Sequence, residues 1–383
     1  MPVTLRHFLV LGLIACVVVL LAMPSAKKVA KRFDAIDYPD ARRVNTEPIA
    51  RLGGIAIFAG ILVALFVELL GETFLGWAGF YTGGVRTDVN HWGVMIGLAV
   101  VFATGVVDDV KHIRALAKLA GQIAGALIIA TSGVLFDSLM NPFGHEMIHF
   151  AWWFAYPLTV FYLVSFMNVI NLIDGLDGLA GGITAIGSVW LFVIAFQGGL
   201  VETAMLSIVL LGACLGFLKY NFHPASIFMG DSGSLTLGAM LGVISLLGVM
   251  KTPTLVIMAV PLIVVAIPIA DTACAIIRRL LRHQPIMQPD KGHLHHRLLG
   301  RGFSMRNSVI IIYAWTFVLG LGAFLMSNTH GVWIVVVFLV LLIISFAIMW
   351  AVGLFEPVLR HHYHGRQPLD EASDSQDGVD ASN

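Results

Sequence analysis

Two asparagines and two aspartates interrupt a long apolar region in Asn168-Val-Ile-Asn-Leu-Ile-Asp-Gly-Leu-Asp-Gly-Leu-Ala-Gly-Gly182. Carboxylates beside a membrane span are costly, so they indicate function by default. Four polar residues recur at every third position, roughly along one helical face: Asn168, Asn171, Asp174 and Asp177. Such an oxygen-rich face suits a hard metal ion or the polar groups of a nucleotide. The simpler alternative is a capped helix junction, with Asn171 or Asp174 as the N-cap of the next span.

The composition around this segment is that of a membrane protein. Of 383 residues, 58% are hydrophobic and 12% are charged, and the mean hydropathy is +0.88. Soluble domains are nearer to ~45–50% apolar and ~25% charged. We therefore predict an all-α polytopic membrane protein. Since a span needs about 20 residues, we place about eleven, the third being the shortest: 8–25, 53–70, 92–107, 119–136, 151–167, 178–197, 201–218, 233–250, 254–275, 309–327 and 331–354.

The distribution of basic residues predicts the orientation, because cytoplasmic loops are enriched in Lys and Arg. All 23 fall on one side of the predicted arrangement except Arg6, Arg86 and Lys251. The amino terminus is therefore expected outside and the carboxyl terminus in the cytoplasm. Basic residues at 27–32 would hold that flank of the first span inside, which predicts an uncleaved anchor.

The domain organisation is simple. We expect one integral-membrane domain over residues 1–360 and a disordered cytoplasmic tail over 361–383, which is rich in Asp, Ser and Gly. The three cysteines are Cys16, Cys214 and Cys274. They lack paired spacing, so neither a disulfide framework nor a zinc site is indicated.

An aspartate pair follows the third predicted span. Adjacent carboxylates repel, so Asp108 and Asp109 make sense if a cation lies between them or if one of them acts as a base. Lys111 and Lys118 would then serve a phosphate. An ordinary ion-pair cluster of Asp108 with Lys111 and His112 is the equally weighted alternative.

Glycines mark two further segments. Gly230-Asp-Ser-Gly-Ser234 at a helix start can present backbone N–H groups and a metal-binding carboxylate to a phosphate. A plain N-cap formed by Asp231 or Ser232 is the alternative. At Gly53-Gly54, after Arg51, we prefer a packing notch between helices to a ligand contact.

The longest predicted cytoplasmic loop contains a histidine cluster. His293, His295 and His296 stand beside Arg297, and no cysteine supports a zinc site there. We therefore prefer, for this patch, imidazole groups that contact a phosphate or a sugar to a zinc site. Because all four polar clusters fall on predicted cytoplasmic connections, we expect a single active site between the helices.

These motifs, in this order, resemble those of the polyprenyl-phosphate N-acetylhexosamine-1-phosphate transferases. The resemblance covers roughly residues 30–350 and includes the aspartate pair, the Asn/Asp segment, Gly-Asp-x-Gly-Ser and His-x-His-His. It implies a Mg²⁺ ion, with Mn²⁺ as a substitute. Its implied metal ligands are Asp231 and its neighbour Asn171.

The resemblance also implies roles for the other residues. Asp108 and Asp109 would handle the lipid phosphate, one of them as the base, and Asp174 and Asp177 would line the catalytic and uridine-binding region. The implied substrate contacts are Lys118 at the pyrophosphate, Phe228 at the uracil, Asn168 and Asn221 as polar contacts, and His293, His295, His296 and Arg297 at the sugar phosphate.

The histidine loop distinguishes two branches of this family. The phospho-N-acetylmuramoyl-pentapeptide transferases usually carry three consecutive histidines followed by Phe-Glu, whereas this chain has His-Leu-His-His-Arg-Leu at 293–298. That loop resembles the N-acetylglucosamine-1-phosphate branch. The expected partners are therefore UDP-N-acetylglucosamine or an epimer, undecaprenyl phosphate and the lipid bilayer of the inner membrane. No nucleic acid is expected, and a homodimer stays open.

Two alternatives remain at this point. The pentapeptide transferase is one. An ion-coupled secondary transporter is the other, since carriers also show aspartates near glycine-broken helices. A carrier predicts ionisable groups near the midplane and a two-fold repeat of hydropathy, whereas here the clusters lie at span ends and the sequence shows no repeat.

Overall fold

The computed structural model describes residues 5–38, 48–76, 89–140, 147–251, 298, 301–329 and 331–351. Helices dominate these ranges, which confirms the predicted all-α class. They are α1 (Leu5–Arg32), α2 (Gly53–Leu75), α3 (His91–Lys111), α4 (Ala115–Thr131), α5 (Trp152–Ile173), α6 (Leu179–Gln197), α7 (Val201–Asn221), α8 (Gly230–Lys251), α9 (Met305–Ser327) and α10 (Val332–Ala351).

The helices match the predicted spans. Within the described ranges, 9 helices are long and apolar enough to cross a membrane, and α4 is a shorter apolar helix of 17 residues. The predicted span 254–275, the histidine loop and the tail lie outside the described residues. The third predicted span, 92–107, is confirmed as α3, whose 21 residues extend past the predicted bounds, and α4 is the shorter helix.

Several helices extend beyond the apolar runs that predicted them. α3 continues to Lys111, α5 continues to Ile173, and α8 begins at Gly230. The polar side chains at these helix ends hydrogen-bond to one another across helices. The backbone therefore stays helical in segments that are less hydrophobic than the membrane-spanning runs. As a result the aspartate pair, Asn168 and Asn171 lie inside helices rather than in loops.

Two short antiparallel ladders, which the sequence did not predict, lie outside the bundle. β1 (Ile36–Asp37) pairs with β2 (Ile49–Ala50), and β3 (Ser138–Met140) pairs with β4 (Met147–His149). The segment before α8 also hydrogen-bonds to the entrance of α2. Phe228 N donates to Ala50 O at 2.8 Å, and Gly53 N donates to Phe228 O at 2.9 Å. These bonds fix the start of α8 against the start of α2.

Helix α8 is the centre of the bundle and packs against α2, α3, α5 and α7. Small residues let two of these neighbours approach it closely. A Cβ at Gly105 of α3 would lie 2.5 Å from Ser232 Cα, and one at Gly54 of α2 would overlap the backbone at Gly233. The packing notch predicted at Gly53-Gly54 is confirmed.

Candidate active site

The candidate site lies at one end of the bundle, where α3, α5 and α7 end and α4 and α8 begin. The fold brings the aspartate pair, the Asn/Asp segment and the Gly-Asp-Ser-Gly-Ser segment together there. The predicted site residues within the described ranges are Asp108, Asp109, Lys118, Asn168, Asn171, Asp174, Asp177, Asn221, Phe228 and Asp231. His293, His295, His296 and Arg297 lie outside the described residues.

The ammonium group of Lys118 is the centre of this cluster. Its Nζ lies 3.2 Å from Asp108 Oδ2 and 3.4 Å from Asn171 Oδ1, and it donates to Asp231 Oδ2. Oxygens from α3, α5 and α8 therefore converge on one cation. Within the described chain Asp108 makes no ion pair with Lys111 or His112, so the alternative cluster considered from the sequence is wrong.

Asn171 and Asp231 are oriented by each other. Asn171 Nδ2 donates to Asp231 Oδ1 at 2.6 Å and to Ser234 Oγ at 2.9 Å. Because the amide nitrogen is engaged in these bonds, its oxygen faces the Lys118 ammonium. The amide and the carboxylate thus present oxygen atoms to the same point.

Asp109 caps α8 from a neighbouring helix. Its carboxylate accepts hydrogen bonds from Asp231 N at 2.7 Å, from Ser232 N at 2.9 Å and from Ser232 Oγ at 2.7 Å. A carboxylate at a helix start satisfies N–H groups that have no partner within the helix and complements the helix dipole. The simpler alternative, in which Asp231 or Ser232 caps its own helix, is therefore wrong. The Asp231 carboxylate is left free to face Lys118.

Arg51 is a site residue that the sequence indicated only as part of a basic loop. Its guanidinium lies 3.9 Å from Asp109 Oδ1, 3.8 Å from Asp37 Oδ1 and 3.4 Å from His112 Nε2. It is the cation nearest to the buried Asp109 carboxylate among the described residues. Its position just before Gly53-Gly54 was the available signal.

Asn168 ties α5 to α4. Its Nδ2 donates to Gln122 Oε1 at 2.9 Å, and Gln122 Nε2 donates back to Asn168 Oδ1 at 3.3 Å. Gln122 is buried. This reciprocal amide pair lies one turn beyond Lys118 and fixes the register of the two helices that contribute Lys118 and Asn171.

The predicted helical face ends before the two aspartates. Asp174 is the C-cap residue of α5, and α6 begins after Gly178 without a side-chain cap. The expected continuous face and the alternative of a capped junction are therefore both wrong, because the chain turns between the two helices. Within the described residues, the Asp174 carboxylate has no hydrogen-bond partner. Enclosure by protein, with the nearby charges of Asp231 and Asp109, raises the pKa of Asp174 although part of its side chain stays exposed.

Asp177 fixes the loop between α7 and α8. His223 Nδ1 lies 2.8 Å from Asp177 Oδ2, and Ala225 N donates to the same oxygen at 3.0 Å. Arg306 Nη2 of α9 donates to His223 O at 3.2 Å. Of these residues only Asp177 was predicted at the site. His223 and Arg306 are distant in sequence, and no local motif marked them.

Asn221 links the same two loops. Its Oδ1 accepts from Gly178 N at 2.9 Å and its Nδ2 donates to Ile227 O at 2.9 Å, and the residue is buried. Tyr313 OH also donates to Gly178 O. Both polar atoms of Asn221 are thus used inside the protein. Phe228 is half-buried next to this junction. Their predicted contacts with a substrate remain predictions.

The donor atoms around Lys118 fit a hard cation. Asp108, Asp231 and Asn171 direct oxygens at one point, where an ammonium group already lies. In the described ranges no three His, Cys, Asp or Glu side chains converge as in a closed protein metal site. Mg²⁺ does not require one, because it is usually held by one or two carboxylates together with waters and substrate phosphates.

Comparison with known proteins identifies the family. The profile described as glycosyl transferase family 4 matches residues 91–249, which contain every predicted site residue within the described ranges. A probable undecaprenyl-phosphate N-acetylglucosaminyl 1-phosphate transferase of Bacillus subtilis is 39% identical over 337 residues, covering 88% of this chain and 89% of the relative. The chain belongs to glycosyl transferase family 4. The resemblance drawn from the motifs is confirmed, and this family-4 protein is a multi-pass membrane transferase.

Other relatives of this family-4 protein come from two branches. A decaprenyl-phosphate N-acetylglucosaminephosphotransferase of Mycolicibacterium smegmatis is 36% identical over 347 residues, covering 84% of this chain and 82% of the relative. A phospho-N-acetylmuramoyl-pentapeptide-transferase of Desulforudis audaxviator is 30% identical over 308 residues, covering 73% of this chain and 84% of the relative. Of these three relatives, the two named for N-acetylglucosamine transfer are the more identical to this chain.

Proposed function

We propose that this protein transfers N-acetylglucosamine-1-phosphate from UDP-N-acetylglucosamine to undecaprenyl phosphate at the cytoplasmic face of the inner membrane, and releases UMP. The product would start a cell-envelope glycopolymer. The observation that carries this proposal is the convergence of Asp108, Asn171 and Asp231 on the Lys118 ammonium at one end of a membrane bundle. The names of the bacillary and mycobacterial relatives support the substrate class.

The reaction exchanges one phosphorus–oxygen bond for another. An oxygen of the lipid phosphate attacks the phosphorus that carries the sugar, and the bond from that phosphorus to the UMP oxygen breaks. UMP leaves with the electron pair. Several anionic oxygens meet in this step, so positioning and positive charge supply most of the catalysis. Lys118 is placed to bind these oxygens, and a site at the membrane boundary lets the polyprenyl tail remain in lipid.

The two adjacent aspartates take different roles in this proposal. The side chain of Asp108 is 14% exposed and faces Lys118. The side chain of Asp109 is 0% exposed and accepts three hydrogen bonds from the first residues of α8. Asp108 is therefore assigned as the group that accepts a proton from the lipid phosphate. Asp109 is assigned as the residue that positions the start of α8.

Asp231 and Asn171 are the residues that would hold Mg²⁺, with Mn²⁺ as a substitute. When bound, the metal would neutralise charge on the pyrophosphate. The Lys118 ammonium contacts the same Asp231 and Asn171 oxygens that would bind the metal. We therefore assign it to the substrate phosphates when metal and substrate are both bound. Asn168 would act indirectly, by holding α5 against α4.

The nucleotide is assigned to the side of the site formed by the loop at 174–178 and the loop before α8. Asp174 offers a carboxylate that has no hydrogen-bond partner among the described residues, and Phe228 offers an aromatic ring. Asp177 and Asn221 join the two loops and would keep this surface in place. The histidines at 293–296 and Arg297 are assigned to the sugar phosphate.

The test is UMP release by the detergent-purified protein with undecaprenyl phosphate and Mg²⁺. UDP-N-acetylglucosamine and UDP-N-acetylmuramoyl-pentapeptide are compared as donors. Turnover with the first alone is expected. Turnover with the second alone would assign the chain to the pentapeptide branch, to which the Desulforudis relative belongs by its name. Absence of UMP release with both donors would contradict the proposed reaction.

A further inference from the structure

An apolar cavity lies between α2, α3, α7 and α8, away from the site. Its volume is about 40 Å³, enough for part of a hydrocarbon chain. Its described lining is apolar apart from His91, and each helix contributes: Leu65 of α2, Leu98 of α3, Leu206 of α7 and Val243 of α8.

The position of this cavity follows from helix geometry. At about 1.5 Å of rise per residue, Leu98 lies about 15 Å along α3 from Asp108, and Val243 lies about 18 Å along α8 from Asp231. The apolar core of a bilayer is about 30 Å thick. Leu98 and Val243 are therefore near the midplane, and the rest of the lining on α3, from Met95 to His91 at about 20–26 Å from Asp108, lies in the membrane half opposite to the site.

The cavity is closed toward the site. Phe58 of α2 and Phe102 of α3 stack at a centroid distance of 4.2 Å, on the faces that bear Leu65 and Leu98 but nearer to the site. Beyond this stack, Gly105 contacts the backbone at Ser232. Among the described residues, these contacts lie between the cavity and the site.

The cavity is open toward the lipid. Leu69 and Met95, which line it on α2 and α3, are partly exposed, and Trp92 at the start of α3 is 52% exposed. Tryptophan is enriched at membrane–water interfaces, where its ring lies at the headgroup level. The mouth of the cavity is thus a lateral opening between α2 and α3, with Trp92 at its outer edge.

We propose that this cavity binds part of one hydrocarbon chain of a bilayer phospholipid from the membrane half opposite to the site. Apolar cavities exclude water and bind apolar ligands, because a water molecule there lacks hydrogen-bond partners. The lateral mouth admits a lipid of that half, whereas the Phe58–Phe102 stack separates the cavity from the tail of an acceptor bound at the site. The bound chain would support α3 and α8, the helices that carry Asp108 and Asp231.

The experiment measures bound lipid by native mass spectrometry after delipidation in detergent. Phosphatidylglycerol is titrated onto the wild-type protein and two variants. Leu69→Trp fills the mouth, and Leu70→Trp, at an exposed position outside the described lining, is the matched control. We expect saturable retention by the wild type and by Leu70→Trp, and about tenfold weaker retention by Leu69→Trp.

Two further measurements make this result independent of folding. The melting temperature of the wild type is expected to rise and saturate together with lipid retention. Undecaprenyl phosphate, added as a competitor, is expected not to displace the phospholipid. Equal retention by both variants, no saturable retention by the wild type, or displacement by undecaprenyl phosphate would each overturn the assignment. None of these readouts depends on UMP release.

Discussion

The same helices pack more closely at one end of the bundle than at the other. At the site end, α2, α3 and α8 approach so closely that Gly54 and Gly105 leave no room for a side chain. At the far end, α2, α3, α7 and α8 separate around a cavity. Hydrogen bonds between groups on different helices hold the site end together, whereas the described lining at the far end is apolar apart from His91. The bundle is therefore closely packed at the candidate site and more open at the far end.

The largest expected effect is the loss of the carboxylate of Asp231. Asp231→Asn should lower UMP release about 10³-fold, because it removes a charge from the proposed metal site. Asp34→Asn, on an exposed loop near the same end of the bundle, is the matched control and should remain near wild type. Activity of Asp231→Asn within a few-fold of wild type, at normal membrane insertion and with saturating Mg²⁺, would remove this residue from the metal site.

The next effect concerns the cation at the centre of the cluster. Lys118→Met should lower UMP release about 10²-fold, since the pyrophosphate loses its nearest charged contact. Lys111→Met removes a basic residue from the adjoining end of α3 without touching the cluster. Steady-state kinetics of UMP release compare the two variants. An equal loss of activity in both would show that the position of the positive charge is unimportant, which would contradict the assigned role of Lys118.

A third prediction adds one carbon at each end of the bundle. Gly105→Ala forces a Cβ against Ser232 and should destabilise the protein by about 1–3 kcal/mol. Val243→Leu adds one carbon beside the cavity and should leave the melting temperature unchanged or raise it. Thermal unfolding in detergent compares the two variants directly. Equal destabilisation by both would contradict the difference between the ends.

The smallest effect is expected at Arg51. Its guanidinium lies 3.9 Å from Asp109 and is partly exposed, so its charge is screened by solvent. Arg51→Gln should lower UMP release about threefold and lower the melting temperature slightly, and Arg51→Lys should recover part of both. If Arg51→Gln exceeds Lys118→Met in its effect, Arg51 contacts the substrate directly.

The sequence predicted the helices and the convergence of three polar clusters, because span periodicity and the side of each loop are local properties. It did not predict the cap of α8 by Asp109, since a cap supplied by another helix depends on tertiary packing. For the same reason Gln122 and His223 carried no recognisable signal, and Arg51 was indicated only by its place in a basic loop before Gly53-Gly54. Helix ends were misplaced wherever polar residues such as Asn171 continue a helix past its apolar run.

Different residues hold the start of α8 in place and face the polar cluster: Asp109 caps the helix, and the Asp231 side chain points to Lys118. Two of the three hydrogen bonds that Asp109 accepts come from main-chain N–H groups, which every residue except proline provides. The helix start is therefore insensitive to which side chain occupies position 231. A descendant of this enzyme could exchange the residue that faces the substrate and keep its backbone intact, while any change at Asp109 would disturb both. New activity on this scaffold is accordingly more accessible through position 231 than through the aspartate that supports it.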